Sequence, residues 1–408
     1  MNSVSKASYS ILIGCVLAHF LNHVYTGVLS PFLPIIKDEL SLNLTQVGII
    51  TSAAILTMTS LHLIIGALAD RGWKDILIPL SVLMSALVVA LTSLATSFWF
   101  LVVMQVLLGV GASGYHPAAF PALAERFPPS RRASAIGAQA MGGLIGMALI
   151  PFLGAVLLVT LGGWREALLF LGAAGIGVFL ITVVLVAYSR REPPVVEVTP
   201  EAITDGADGW TRDYVLSVVL SGLRGIPFRS TNLLMPLYLV VSYGYKPLWA
   251  GALTTVMLGA GLVAEVIAGP LSDRMQRRVP FIVLSPLLMT PCLLLLNFAL
   301  DPIPLVLVLI GIGFFYYFGV PPYQAYQTEV APRGQRGLAF GILFSIGAIP
   351  GSVAPIIFGA IGDAYGLPAS ILFLASTTLL AAFVAALLHE RPTFRVVSDE
   401  ARTYNDTT

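Results

Sequence analysis

The segment Gly66-Ala-Leu-Ala-Asp70-Arg71 returns 203 residues later as Gly269-Pro-Leu-Ser-Asp273-Arg274. Each copy closes a long apolar run with a short charged loop. The register extends on both sides. Gly109 to Gly137 lies on Gly313 to Gly341 at an offset of 204, which matches Pro117 with Pro321, Glu125 with Glu329 and Arg132 with Arg336. Further upstream, Pro34 matches Pro236 at an offset of 202. A single shared motif could be chance. Three in nearly one register mark a duplication.

The repeated unit is a set of membrane helices. The chain has 408 residues, 57% hydrophobic and 11% charged, with a mean hydropathy of +0.88. A soluble domain carries about 25% charged residues, so this chain is too poor in charge to cover itself in water, and lipid is part of its solvent. Runs long enough to span a bilayer lie near 10–36, 45–69, 75–95, 98–125, 133–160 and 165–188 (α1 to α6), and near 213–242, 248–271, 279–300, 303–329, 337–361 and 369–388 (α7 to α12). The expected fold is an all-α membrane protein of twelve helices in two pseudo-symmetric six-helix bundles, 1–189 and 213–390. A cytoplasmic linker, 190–212, joins them, and a cytoplasmic tail, 391–408, follows. With the N-terminus inside, 17 basic residues fall on cytoplasmic segments, three (Lys37, Arg165 and Lys246) on outside loops, and two (Arg224 and Arg229) within α7. That bias places both termini in the cytoplasm and the chain in the inner membrane. The first apolar run is too long for a cleavable signal.

Several function classes drop out. A net charge of +1 gives no reason to expect a nucleic acid partner. Cys15 and Cys292 sit in apolar runs and read as packed thiols. Two cysteines and five histidines make no spaced zinc motif, so no metal or other cofactor is expected. A membrane-embedded enzyme would need a nucleophile with its base, or metal ligands at fixed spacing, and there is no Gly-x-Ser-x-Gly, no His-Glu-x-x-His and no P-loop. A non-transporting membrane sensor stays as the alternative of another class, although it would normally carry an added soluble domain and the tail after Glu390 is too short for one.

The Gly-x-Leu-[Ala/Ser]-Asp-Arg loops after α2 and α8 resemble the signature of the major facilitator superfamily. The first continues as Gly72-Trp73-Lys74, less basic than usual, and the second has Met275 where Gly is usual. Within the superfamily, Gly111-Ala-Ser-Gly-Tyr115-His116-Pro117-Ala-Ala resembles the [Phe/Tyr]-His-Pro-x-Ala segment of the fosmidomycin-resistance group. Gly222-Leu-Arg224 and Leu234-Met-Pro236-Leu-Tyr238-Leu in α7 are similar to that group too. The resemblance implies a major facilitator fold with α1, α4, α7 and α10 around a central cavity and α3, α6, α9 and α12 at the periphery. It also implies a latch. Asp70 would face the N-terminus of α11, whose free amides and dipole favour an anion, and would hold the halves in an outward-facing state. Asp70, Arg71, Asp273, Arg274, Glu125, Arg126, Glu329 and Arg333 are the expected gate residues; ordinary positive-inside flanks would look alike.

Ionisable groups at membrane depth are costly and mark function by default. His19, Asn22, His23 and Thr26 share a face of α1 at spacings of three and four. Gln105 and His116 share a face of α4. In α7, Arg224 and Arg229 point about 140° apart in a straight helix, with Pro227 between them. Arg224 is the expected cavity residue, on the resemblance and because Ser217 and Ser221 share its face. Tyr316, Tyr317 and Tyr323 come from α10. Two arginines without an acid in α1 or α7 leave positive charge to be neutralised. A distant carboxylate would do this, and so would an anionic substrate held bidentately. The histidines are equally readable as satisfied core residues. Glu265 of α8 is the acid placed deepest in a span, and the 203-residue offset puts His62 opposite it. The two are candidates for proton coupling or for a static polar pair.

The function expected is secondary transport of a small, anionic or drug-like solute by alternating access around a midplane site. Proton-linked export by a monomer leads, on the resemblance. Uptake of an organic anion by symport is the alternative, because Gly142-Gly143-Leu-Ile-Gly146 with Pro151 and Gly154 departs from the export-type pattern of α5.

Overall fold

The structure, a computed structural model, describes residues 5–192, 209–332 and 335–390. Arg333, most of the linker and the tail lie outside these residues. The two bundles of six helices are present. In the first, α1 spans Lys6–Glu39, α2 Leu44–Leu68, α3 Lys74–Thr92, α4 Phe98–Arg126, α5 Pro129–Leu161 and α6 Trp164–Ser189. In the second, α7 spans Arg212–Tyr243, α8 Pro247–Met275, α9 Val279–Leu295 and α10 Pro302–Val330. There α11 runs in two pieces, Arg336–Ser345 and Ile349–Tyr365, and α12 spans Leu367–Ala386. Among the described residues nine segments are long and apolar enough to cross a membrane, and α9 and the second piece of α11 are shorter apolar helices. The remaining helix, α7, is diluted by Arg224 and Arg229 and relies on burial inside the protein to hold them.

Two helices break at equivalent places. α4 stops at Ser113 and restarts at Tyr115; α10 stops at Phe318 and restarts at Val320. A glycine stands at each break and prolines follow it, Pro117 in one copy and Pro321 with Pro322 in the other. Proline has no N–H to give to the preceding turn, and the last carbonyls of a helix lack intrahelical partners. Each break therefore exposes backbone acceptors at membrane depth, which must be met by side chains.

As expected, α3, α6, α9 and α12 pack chiefly within their own halves. The halves meet along three seams, α2 with α11, α5 with α8, and the 3₁₀ turn Ser30–Phe32 with α7. These seams are close at the end of the molecule opposite the Asp70 and Asp273 loops. A Cβ on Gly48 of α2 would lie 2.2 Å from the Pro355 carbonyl oxygen of α11, and one on Gly251 of α8 would lie 2.3 Å from the Pro151 carbonyl oxygen of α5. Only glycine permits such contact. Ser30 donates across the third seam to the Leu233 carbonyl at 2.7 Å. No hydrogen bond crosses between the halves at the end bearing the Asp70 and Asp273 loops, among the described residues.

Candidate functional site

The broken helices frame the site. At the α4 break the orphaned Ala112 carbonyl accepts from the Asn22 amide at 3.0 Å. At the α10 break the Tyr316 carbonyl accepts from Arg224 Nη2 at 3.2 Å. Ala112 and Tyr316 are 204 residues apart, and Asn22 and Arg224 are 202 apart, the offsets of their helices in the repeat. Asn22 and Arg224 thus do the same job in the two halves. Arg224 is further held by the Ser285 hydroxyl at 3.2 Å, and its guanidinium lies 5.2 Å from the Tyr316 ring and 5.3 Å from that of Tyr323. It is buried, and part of its donor capacity is spent within its own half.

Arg229, one and a half turns further on, is placed differently. It packs against Phe228 and, among the described residues, makes no hydrogen bond or ion pair. It lines two spaces at once. One is a cavity of about 330 Å³ bounded by α7, α10 and α11, with Arg224, Tyr316 and Tyr323 in its wall and Gln327 and Thr328 toward the Asp70/Asp273 end. The other is a narrow crevice between the halves, shared with His23, Thr26, Met147 and Asn232. Tyr317 lies on the same side, its hydroxyl 3.8 Å from Met147 Sδ across the halves.

Facing Arg229, the first half presents an imidazole cluster. The His19 ring lies 4.8 Å from that of His23 and 5.0 Å from that of His116, and His62 lies 6.0 Å from His116. His19 stacks on Tyr115. Its Nδ1 lies 2.8 Å from the Gln139 backbone carbonyl, an acceptor, and 2.9 Å from the Gln139 side-chain amide nitrogen, a donor, so the tautomer follows whichever of the two it bonds. Gln139 donates to the Tyr115 hydroxyl at 2.8 Å, and Tyr115 donates to the Cys15 carbonyl at 2.7 Å. The buried Nε2 atoms of His19 and His62 meet no partner among the described residues. Ring nitrogens of His19, His23 and His116 lie within 4.8 Å of one another, near enough for a metal. The fixed charge of Arg229 in the adjoining crevice opposes a cation there, and no carboxylate accompanies the rings among the described residues. An unpaired guanidinium suits an anion, and the imidazoles can serve one only as donors, through an N–H.

Of the other expected site residues, Gln105 is buried on α4 with its amide nitrogen unpartnered. Glu265 is half-buried, one turn beyond Gly261, which packs on the Tyr317 ring; its Oε2 meets no partner among the described residues. No hydrogen bond or ion pair joins Glu265 to His62, which sits instead with the histidines. At the gate loops, Asp70, Arg71 and Arg274 are exposed. Glu125 pairs with Lys74 and not with Arg126, whose guanidinium reaches the Glu192 carbonyl. Arg278 bonds Asp273 at 2.5 Å and Glu329 at 3.4 Å. The pairs Lys74–Glu125 and Arg278–Glu329 stand exactly one repeat offset apart, so the sequence register held a signal for them. Nothing in the spacing singled out Gln139 or Ser285, whose roles depend on how helices meet.

Two six-helix bundles around a polar cavity are the build of a membrane transporter. The family model of the Major Facilitator Superfamily matches residues 15–221 and 217–404, and the chain belongs to that superfamily. It is 26% identical to a probable sulfoacetate transporter, SauU, of Cupriavidus necator, over 97% of each chain. It is 25% identical to the fosmidomycin resistance protein of Escherichia coli, over 88% of each. Among solved structures it resembles a bacterial homologue of the human lysosomal transporter Spinster in an inward-facing, unoccupied conformation, with a TM-score of 0.80 and 18% identity, covering 95% of this chain and 98% of that one.

Proposed function

We propose that the protein is a secondary transporter that carries a small organic anion through the inner membrane by alternating access. The observation that carries this reading is Arg229, a guanidinium without a hydrogen bond or ion pair among the described residues, set between the cavity and the histidine cluster of the opposite half. An anion bridging Arg229 and the imidazoles would supply the missing countercharge, and it would touch both halves, as a solute that drives their movement must. Arg224, held by a helix carbonyl, shapes the wall and adds long-range attraction. The relative named for sulfoacetate, itself an organic anion, supports the substrate class.

The bias of basic residues places the Asp70 and Asp273 loops in the cytoplasm. On that orientation the structure is closed outside and open inward. Glu265 and His62 are the groups we assign to proton coupling. Export is our reading of the direction, on the likeness of Tyr115-His116-Pro117 and α7 to the fosmidomycin-resistance group. Uptake is the second reading, favoured by the glycines of α5, where Gly142 packs on Val16 and Gly143 on His19 and His23, so that they shape the site itself.

Thermal unfolding of the purified protein with a panel of sulfonates, carboxylates and phosphonates tests the site. Anions should raise Tm, and Arg229→Ala should remove the effect. Stabilisation by a neutral or cationic compound, independent of Arg229, would overturn the anion reading.

A further inference from the structure

The resemblance implies that one carboxylate, Asp70, caps α11 from α2. The structure shows a second carboxylate doing the reverse. Asp363, in the last turn of α11, accepts from the Leu44 amide and the Thr45 amide, both at 2.8 Å, and from the Thr45 hydroxyl at 2.6 Å. Leu44 and Thr45 open α2, in the other half. The first four amides of a helix have no partner inside it, and here all are met. Asn43 takes the Gln46 amide with its side chain at 2.8 Å, and the Gln46 side-chain oxygen takes the Asn43 amide at 3.0 Å. The remaining two belong to Asp363. A carboxylate at this position also gains from the helix dipole.

We propose that Asp363 is a positioning residue of the transport cycle, a clasp that holds the halves together at the end opposite the Asp70 loop, and that it alternates with Asp70. The Asp363 clasp and the latch expected of Asp70 involve the same two helices, at opposite ends. Rocking that closes one must open the other, and in this structure Asp363 is engaged while Asp70 is exposed. The clasp is one-sided. The repeat offset of 204 puts Val159 of α5 in the place of Asp363, so the α5–α8 seam has no equivalent.

The inference rests on the alternating-access reading but needs no substrate, so a failed anion assignment leaves it standing. The test uses the full chain in nanodiscs, with Cys15 and Cys292 replaced by alanine and spin labels at Thr96 and Asp301, exposed positions on the two halves at the clasped end. Asp363→Asn should raise the ratio of long to short label separations by roughly twofold to thirtyfold, the range for loss of a helix N-cap. Asp363→Glu should restore part of the short population, and Asp70→Asn should not lengthen the separation. Thr45→Val, which removes one of the three donors, should give a smaller shift in the direction of Asp363→Asn, and it serves if that variant does not fold. Wild-type distance distributions in both Asp363→Asn and Thr45→Val, or equal lengthening in Asp70→Asn, would overturn the proposal.

Discussion

Asn22 and Arg224 show how far single residues can be read. From sequence, both were polar side chains at membrane depth and therefore candidates to touch a solute. In the structure they are equivalent staples on broken helices, and Arg229 is the guanidinium without a partner. The resemblance favoured Arg224; helix spacing alone could not rank the two, because a bond to a carbonyl beside the Gly319 break depends on a neighbouring helix. The histidines are the opposite case. His19 and His23 share a helix face by spacing, but their convergence with His62 and His116 is tertiary. Gly143 makes that convergence possible. A Cβ there would lie 2.6 Å from His19 Nε2 and 2.7 Å from His23 Cδ2. Gly143→Ala should push the rings aside and weaken anion binding by about tenfold or more, the scale of one hydrogen bond to a charge. Calorimetric titration measures it, and an unchanged affinity would take the histidines out of the site.

At the scale of elements, the Asp70 and Asp273 loops stand out by their repeat, but the partners of the charges around them do not. Glu125, Arg126 and Glu329 are all expected gate residues; in the structure Glu125 is paired with Lys74 and Glu329 with Arg278. Adjacent residues on a helix point apart, whereas the start of α3 and the end of α4 lie side by side. The Lys74–Glu125 pair is mostly buried, so removing one partner strands the other. Lys74→Met should lower stability by about 1–3 kcal/mol. The double variant Lys74→Met with Glu125→Gln should cost less than the single one. A double-mutant cycle on thermal unfolding in detergent checks this, and simple additivity would mean the pair contributes nothing.

The whole molecule was the most legible level. Charge poverty, apolar runs of bilayer length and a duplicated loop fixed two bundles of six, because each of those signals is set by the solvent and not by local packing. How the halves meet was not legible, since a seam such as Gly48 on Pro355 is written in two distant segments. Energy coupling belongs to this scale. If Glu265 carries the proton, Glu265→Gln should abolish flux driven by a pH gradient in proteoliposomes and spare exchange of labelled anion across the membrane. Gradient-driven flux that survives the change would assign coupling elsewhere.

The three seams differ in kind. Gly251 against Pro151 is a fit of shapes, effective only at contact and indifferent to dissolved ions. Asp363 on the start of α2 is a charge held at an exposed rim, and dissolved salt screens its attraction to the helix dipole. Electrolyte on that face of the membrane therefore loosens one edge of the closed end and leaves the other tight. The mouth parts as a wedge, and the ionic strength of the medium becomes a setting for how often it does so.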